Sequence, residues 1–171
     1  MERPVLCPVL IGRAPHLDAL TRAADQAALG KGHAVLVAGE AGIGKSRLLT
    51  EAAGRAHAFS HLQGHGYETD VSVPFAPFVD ALRSSESIDI RADIRRTSSP
   101  VVAELARIVP DLASPVERTP SRSHPQDEKR RLFRAIATLL FEISDRGLLL
   151  LTVEDLHWCA PYRRTTIWRG S

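Results

Sequence analysis

Cysteine and aromatic residues are scarce in this chain of 171 residues. It has two cysteines, and aromatic side chains make up 5% of its residues. Because Cys7 and Cys159 are the only two thiols, lie far apart in the sequence and show no pairing pattern, we expect no disulfide framework and a location in the reducing cytoplasm. Apolar runs are short, as at Leu148–Leu151, and fall far below the roughly 20 residues of a membrane-spanning helix. We therefore expect no membrane partner and, from the lack of an apolar leader after Met1, no signal peptide.

Neither sign of charge predominates. The net charge is +2, with 25% charged and 44% apolar residues. This is the composition of an ordinary globular protein, and the length suits one domain. So small a charge gives no ground for expecting direct nucleic-acid binding by this segment.

An apolar run of strand length precedes a glycine-rich turn. Ala34–Ala38 shows no alternation of polar and apolar residues, which predicts a strand buried on both faces, as in a parallel sheet. The segment from Lys45 to about Ala58 is helical by composition. The predicted order is strand, glycine-rich loop, helix.

The loop itself, Gly39–Ser46, matches the phosphate-binding pattern G-x-x-x-x-G-K-[ST] without a gap. Its glycines allow a tight turn that brings backbone N–H groups against phosphate oxygens. The following helix adds the partial positive charge of its N-terminus. Lys45 can reach the β- and γ-phosphates, and the Ser46 hydroxyl can bind Mg²⁺. The alternative is a strand-to-helix turn that binds nothing.

The remaining pattern is mainly helical. The clearest helix, Gln126–Arg146, carries an apolar stripe and ends before Gly147. The stripe consists of Leu132, Ile136, Leu139, Leu140 and Ile143. The other predicted elements are helices at Pro15–Leu29, Phe75–Arg83 and Val101–Val109, a weak strand at Phe59–Gly64, and an apolar strand at Leu148–Val153.

Two acids, Glu154 and Asp155, follow the last predicted strand. An acid at the carboxyl end of a buried parallel strand can approach a Mg²⁺ held by Ser46, and a second can polarise an attacking water. Ser46, Glu154 and Asp155 are thus the candidate metal ligands, and the two acids the candidate catalytic residues. Alone, such a strand end is also typical of a solvated surface.

Other polar clusters favour structural interpretations. His57, His61 and His65 are spaced by four, but the chain leaves the helix there and no acid or cysteine completes a metal site. We expect surface histidines. Similarly, Arg130, Arg131 and Arg134 are expected on the solvated face of the long helix.

Five segments together resemble the ATPase module of STAND-type, AAA-like regulators, large bacterial proteins that often carry a LuxR-type DNA-binding domain. Two are the phosphate loop and the acidic strand end with its Leu-His-Trp sequence. The others are a Gly-Arg box, a Pro-aromatic segment and the Ala-Leu-Arg sequence that accompanies it. The segments are Gly39–Ser46, Leu148–Trp158, Leu10–Arg13, Val73–Phe78 and Ala81–Arg83.

The resemblance implies a three-layer α/β P-loop domain with a parallel sheet, binding ATP and Mg²⁺. It places Ile11, Gly12 and Arg13 near the adenine, Glu154 at the metal-binding acid and Asp155 at the water-polarising acid. Glu154 departs from the usual Asp, so the two acidic roles could be exchanged. The nucleotide-binding set comprises Gly39, Gly42, Ile43, Gly44, Lys45, Ser46 and Arg47, with Gly12 and Arg13.

The resemblance fades after the acids. Ala160 stands where the family has an acid, and the next strand and helix are missing. We therefore expect residues 1–161 to be a partial ATP-binding domain, incomplete at its C-terminus, and 162–171 to be a tail foreign to the family. Expected partners are nucleotide, and a second copy or the rest of a larger regulator. The alternatives are a truncated fragment without activity and, less favoured, a small P-loop metabolite kinase.

Overall fold

The computed structural model of the chain describes residues 12–68, 75–83, 92, 99–109 and 125–158. These residues belong to two compact units, one ending at Phe59 and the other beginning at Ser60. In chain order the helices and strands are α1 (Ala14–Ala28), α2 (Lys45–Arg55), β1 (Ser60–His65), α3 (Ala76–Arg83), α4 (Ser99–Leu105), α5 (Pro125–Ser144) and β2 (Leu149–Glu154), and a 3₁₀ turn follows at Leu156–Trp158.

Two helices form the first unit. Helix α1 begins with Pro15 in its first turn, where the missing N–H costs nothing. It packs against α2, and Leu17 and Leu48 are buried to 4% exposure. Both helices were predicted, although α2 ends at Arg55, three residues before the expected Ala58.

The prediction of a strand at Ala34–Ala38 is wrong. This segment has no regular secondary structure, and most of its apolar side chains are exposed, Leu36 to 79% and Val35 to 56%. A strand exists only where a neighbour accepts and donates its backbone hydrogen bonds. Within the described residues the one sheet has two strands, neither of them this segment. An apolar run alone could not reveal that.

The second unit contains a two-stranded parallel sheet. Strand β1 pairs with β2 in a register that runs from Ser60 opposite Leu149 to His65 opposite Glu154. Both strands were predicted to within about a residue at each end, and the parallel pairing agrees with the expected α/β class. The three-layer arrangement remains a prediction.

Helix α3 packs against both strands of this sheet. Its approach is closest at Gly64, where a Cβ atom would lie 1.8 Å from the carbonyl oxygen of Pro77. Only glycine allows a strand backbone to come so near a helix backbone. Gly64 lies inside β1, one residue before the end of the strand.

The core of the second unit follows the predicted stripe of α5. Leu132, Ile136, Leu139 and Ile143 are buried, and Leu140 is partly buried against them. Leu62 of β1 and Leu105 of α4 complete the same cluster. Helix α4 ends at Leu105, and residues 106–108 form a turn, so the predicted helix to Val109 was too long. Among the described helices, none is long and apolar enough to cross a membrane.

Some expectations fall on residues outside the described ranges. They concern Ile11 in the Gly-Arg box, Val73 and Pro74 in the Pro-aromatic segment, Ala160, and the tail 162–171.

Candidate functional site

The loop before α2 has the backbone geometry of an anion-binding turn. Gly42 and Gly44 adopt left-handed conformations, with φ of 76° and 93°. Gly44 is the N-cap residue, so α2 begins at Lys45. The first N–H groups of a helix have no partner within the helix and carry a partial positive charge. The loop therefore ends at the terminus that suits a phosphate group.

Lys45 adds a full positive charge to this loop. Its Nζ donates hydrogen bonds to the carbonyl oxygens of Gly39, at 3.0 Å, and Glu40, at 2.9 Å. The ammonium group is thus held over the loop by backbone atoms. Ser46, the next residue, is exposed on the first turn of α2.

Arg13 belongs to the same site. Its Nη2 donates a hydrogen bond to the carbonyl oxygen of Ile43 at 2.7 Å. A small cavity of about 70 Å³ lies between them and is also lined by Lys45. Gly12, directly before Arg13, is exposed with φ of 72°. The first unit thus brings Arg13 against the phosphate loop.

The two acids at the end of β2, Glu154 within the strand and Asp155 directly after it, have different surroundings. Glu154 is 7% exposed and accepts a hydrogen bond from Gln63 Nε2 at 2.9 Å. The side chain of Asp155 is 55% exposed, and its backbone has φ of 53°, a conformation that Asp tolerates better than most residues. His157 Nδ1 lies 3.9 Å from Asp155 Oδ1. One acid is therefore fixed by the protein while the other faces solvent.

One face of the sheet is polar, which the sequence pattern did not indicate. His61, Gln63 and His65 alternate along β1 and lie opposite Leu150, Thr152 and Glu154. His61 Nε2 is 2.8 Å from Thr152 Oγ1, and His65 Nε2 is 3.7 Å from Glu154 Oε1. Thr152 and Glu154 are both buried, so this face of β2 places polar side chains inside the protein.

His65 is also bound from α3. Asp80 Oδ2 accepts a hydrogen bond from the His65 backbone N–H at 2.9 Å and lies 3.3 Å from Nδ1. His61 and His65 are half-buried, so the expectation of surface histidines is met fully only by His57, which is exposed. Gln63 and Asp80 were missed altogether, since their role depends on which strand and helix lie beside β2. In the described part of the chain, no group of histidines, cysteines or acids forms a metal cluster.

Burial shifts the pKa of one histidine. Desolvation lowers the pKa of His61 from its ordinary value of 6.5, because the charged imidazolium loses water when it is buried. The neutral ring hydrogen-bonds to Thr152 instead.

The arginines of α5 divide into two groups. Arg131 is half-buried, and its Nε donates to Glu104 of α4 at 2.9 Å. Arg131 therefore links α5 to α4. The prediction that it lies on the solvated face of the helix is wrong. Arg130 and Arg134 are exposed, as expected.

The donors of the candidate set suit magnesium. The Ser46 hydroxyl and the two carboxylates are hard oxygen ligands. Mg²⁺ typically uses one or two protein carboxylates and takes its other ligands from phosphates and water. A dedicated cluster of protein ligands is therefore unnecessary.

A glycine-rich loop that ends in Lys-Ser at a helix N-terminus defines a P-loop nucleotide-binding module. Comparison with protein families matches residues 9–166 to the AAA ATPase domain. The chain belongs to this family.

A relative and the solved structures were also compared. The chain is 28% identical over 170 residues to a protein of Rhizobium meliloti (strain 1021) named "Uncharacterized protein R02095". That alignment covers 91% of this chain and 16% of the relative. The chain therefore spans about a sixth of that protein's length. No solved structure matches the chain.

Proposed function

We propose that the chain binds ATP together with Mg²⁺ through the loop Gly39–Ser46. The observation that carries this proposal is the left-handed Gly44 at the start of α2, with Lys45 held over the loop. That arrangement presents backbone N–H groups and an ammonium to one anion. Membership of the AAA ATPase family supports the same ligand.

Each candidate residue has a role in this proposal. Lys45 and the loop N–H groups bind phosphate oxygens, with Arg47 in the first turn of α2 beside them. Ser46, Glu154 and Asp155 serve the metal, which neutralises phosphate charge when it is bound. Gly12 and Arg13, which precede α1, lie near the base. Because Asp155 is exposed, it is the acid that we assign to polarising water.

The test is nucleotide binding by the Lys45→Ala variant. Removing one charge-assisted contact costs about 1.5–3 kcal/mol, or about 10- to 150-fold in affinity. Isothermal titration calorimetry with Mg-ATP measures the difference. Lys31→Ala is the matched control, because Lys31 is an exposed lysine outside the loop. Equal affinities for the parent and Lys45→Ala would refute the assignment.

We further propose that ATP acts as a conformational switch within a larger regulator. The relative's much greater length supports a module inside a longer chain. Hydrogen exchange of the chain with Mg-ATP and with Mg-ADP tests the switch. Residues 149–158, which carry the acids, are expected to differ in protection between the two nucleotides. Identical protection throughout the chain would exclude a switch that senses the γ-phosphate.

A further inference from the structure

Four polar side chains form a continuous path from α3 to Glu154. Asp80 Oδ2 lies 3.3 Å from His65 Nδ1, and His65 Nε2 lies 3.4 Å from Gln63 Nε2. Gln63 Nε2 in turn lies 2.9 Å from Glu154 Oε1. All four residues belong to the second unit. Asp80 and His65 have side chains 31% and 37% exposed, whereas Glu154 at the far end is buried.

The donors and acceptors along this path fit one arrangement. A carboxylate only accepts hydrogen bonds, so Nδ1 of His65 must donate to Asp80. In the neutral ring, Nε2 then carries a lone pair and accepts one N–H of the Gln63 amide. The other N–H of the same amide donates to Glu154. The amide must present nitrogen, because its oxygen would face the Glu154 carboxylate.

We propose that Asp80 and His65 are positioning residues that act through Gln63 to fix the orientation of the Glu154 carboxylate. Asp80 selects the ring tautomer, and the ring orients the amide. The amide then holds Glu154 Oε1 at one place beside the end of β2. The effect of this positioning on Mg-ATP binding rests on the proposed function. A carboxylate that is already oriented can bind the metal of Mg-ATP without first reorganising.

The length of the Glu154 side chain explains why its carboxylate needs a partner that fixes its orientation. Its carboxylate stands one methylene further from the backbone than an Asp carboxylate would. A longer side chain has more rotamers to restrict, so it gains more from an external partner. The pairing of β1 with β2 places Gln63 and His65 opposite Thr152 and Glu154 on the same face, so that Gln63 can be this partner.

The first experiment reads the His65 tautomer directly and needs no nucleotide. Long-range ¹H–¹⁵N NMR of the full chain distinguishes Nδ1–H from Nε2–H rings, and the spectrum of His65→Gln assigns the signal. We expect the Nδ1–H form in the parent and a shift toward Nε2–H, the form favoured in free imidazole side chains, in Asp80→Ala. An Nε2–H or mixed tautomer in the parent would overturn the proposal.

The second experiment measures how much Mg²⁺ strengthens ATP binding. Affinity is measured with Mg²⁺ and with EDTA, and the ratio gives the metal-dependent gain. His65→Met leaves only a weak thioether acceptor at nearly constant size, whereas His65→Gln retains a strong acceptor near Nε2. We expect His65→Met and Asp80→Ala to lower the gain about tenfold, the effect of losing an outer-shell partner. His65→Gln should retain most of it.

The outcomes separate this inference from the proposed function. Binding of ATP in EDTA should be equal in all folded variants, because the phosphate loop lies in the other unit. An undiminished gain in His65→Met, or an equal loss in His65→Gln and His65→Met, would overturn the positioning role. If the parent binds no nucleotide at all, the proposed function fails, and the tautomer and its response to Asp80→Ala decide the inference.

Discussion

Arg13 and Ile43 are 30 positions apart in the chain, yet a hydrogen bond of 2.7 Å joins their side-chain and backbone atoms. The bond fixes one carbonyl group of the phosphate loop. A loop with a preset shape spends less binding free energy on ordering when a ligand arrives. Arg13 therefore contributes to the shape of the loop, whereas its contact with adenine stays a prediction.

We predict that Arg13→Ala weakens ATP binding moderately. The loss of one such hydrogen bond costs about 0.5–1.5 kcal/mol, which corresponds to about 2- to 13-fold in affinity. The effect should be the same in Mg²⁺ and in EDTA, because the arginine acts on the loop. Titration calorimetry measures both, with Arg22→Ala on the exposed side of α1 as control. A loss seen only with Mg²⁺ would contradict this role.

His61 makes stability depend on pH in a defined direction. Burial lowers its pKa in the folded state below 6.5, so between these two values the unfolded chain binds more protons. The free energy of unfolding therefore falls as pH decreases from about 6.5 through the folded-state pKa. Above 6.5 this contribution is fully present.

We predict that His61→Gln flattens the pH dependence of stability between pH 6.5 and the lower folded-state pKa. Glutamine retains a polar group for Thr152 but cannot titrate. Urea unfolding of parent and variant at a series of pH values measures the slopes. His57→Gln, in an exposed turn, is the control and should follow the parent. Parallel curves for parent and His61→Gln would show that the buried imidazole contributes nothing.

At the scale of elements, the close packing of α3 against β1 requires a glycine at position 64. The Pro77 carbonyl oxygen lies where a Cβ on Gly64 would be, and the Cβ of Ala81 would be 3.0 Å away. Both obstacles belong to the helix, and one of them is backbone. The helix would have to move as a unit to make room.

Gly64→Ala should therefore destabilise the protein by at least about 1–3 kcal/mol, the usual cost of overpacking. Gly54→Ala is the matched control, because Gly54 lies in α2 and an added methyl carbon there would have no neighbour within 4 Å. That change should stabilise by up to about 1 kcal/mol through helix propensity. Chemical denaturation measures both variants. A Gly64→Ala variant as stable as the parent would mean that α3 does not lie this close to β1.

The helices and strands of the second unit could largely be predicted. The stripe of α5 has the 3.6-residue period that buries one face, and its members do form the core. The run Ala34–Ala38 was misjudged because a short apolar segment has no period to measure. A strand there would need a partner strand, and a local run of apolar residues does not reveal whether one is present.

At the scale of the whole molecule, nucleotide binding should raise the melting temperature. A ligand at about 100 times its dissociation constant stabilises the folded state by about 2.7 kcal/mol. For a chain of this length that corresponds to an increase of about 5–11 °C. Differential scanning fluorimetry with Mg-ATP measures the increase, and Lys45→Ala should lose it. AMP, which lacks the β- and γ-phosphates, should give little increase in the parent.

The phosphate loop was determined by the sequence, because the motif Gly39–Ser46 is contiguous and its turn requires glycine locally. The acids Glu154 and Asp155 were located in the same way, by a strand that ends beside them. Only the tertiary structure decided that Glu154 is buried and held by Gln63, with His65 and Asp80 behind it. Those partners come from another strand and a helix. Strand register and helix packing bring them together, and neither leaves a local pattern in the sequence.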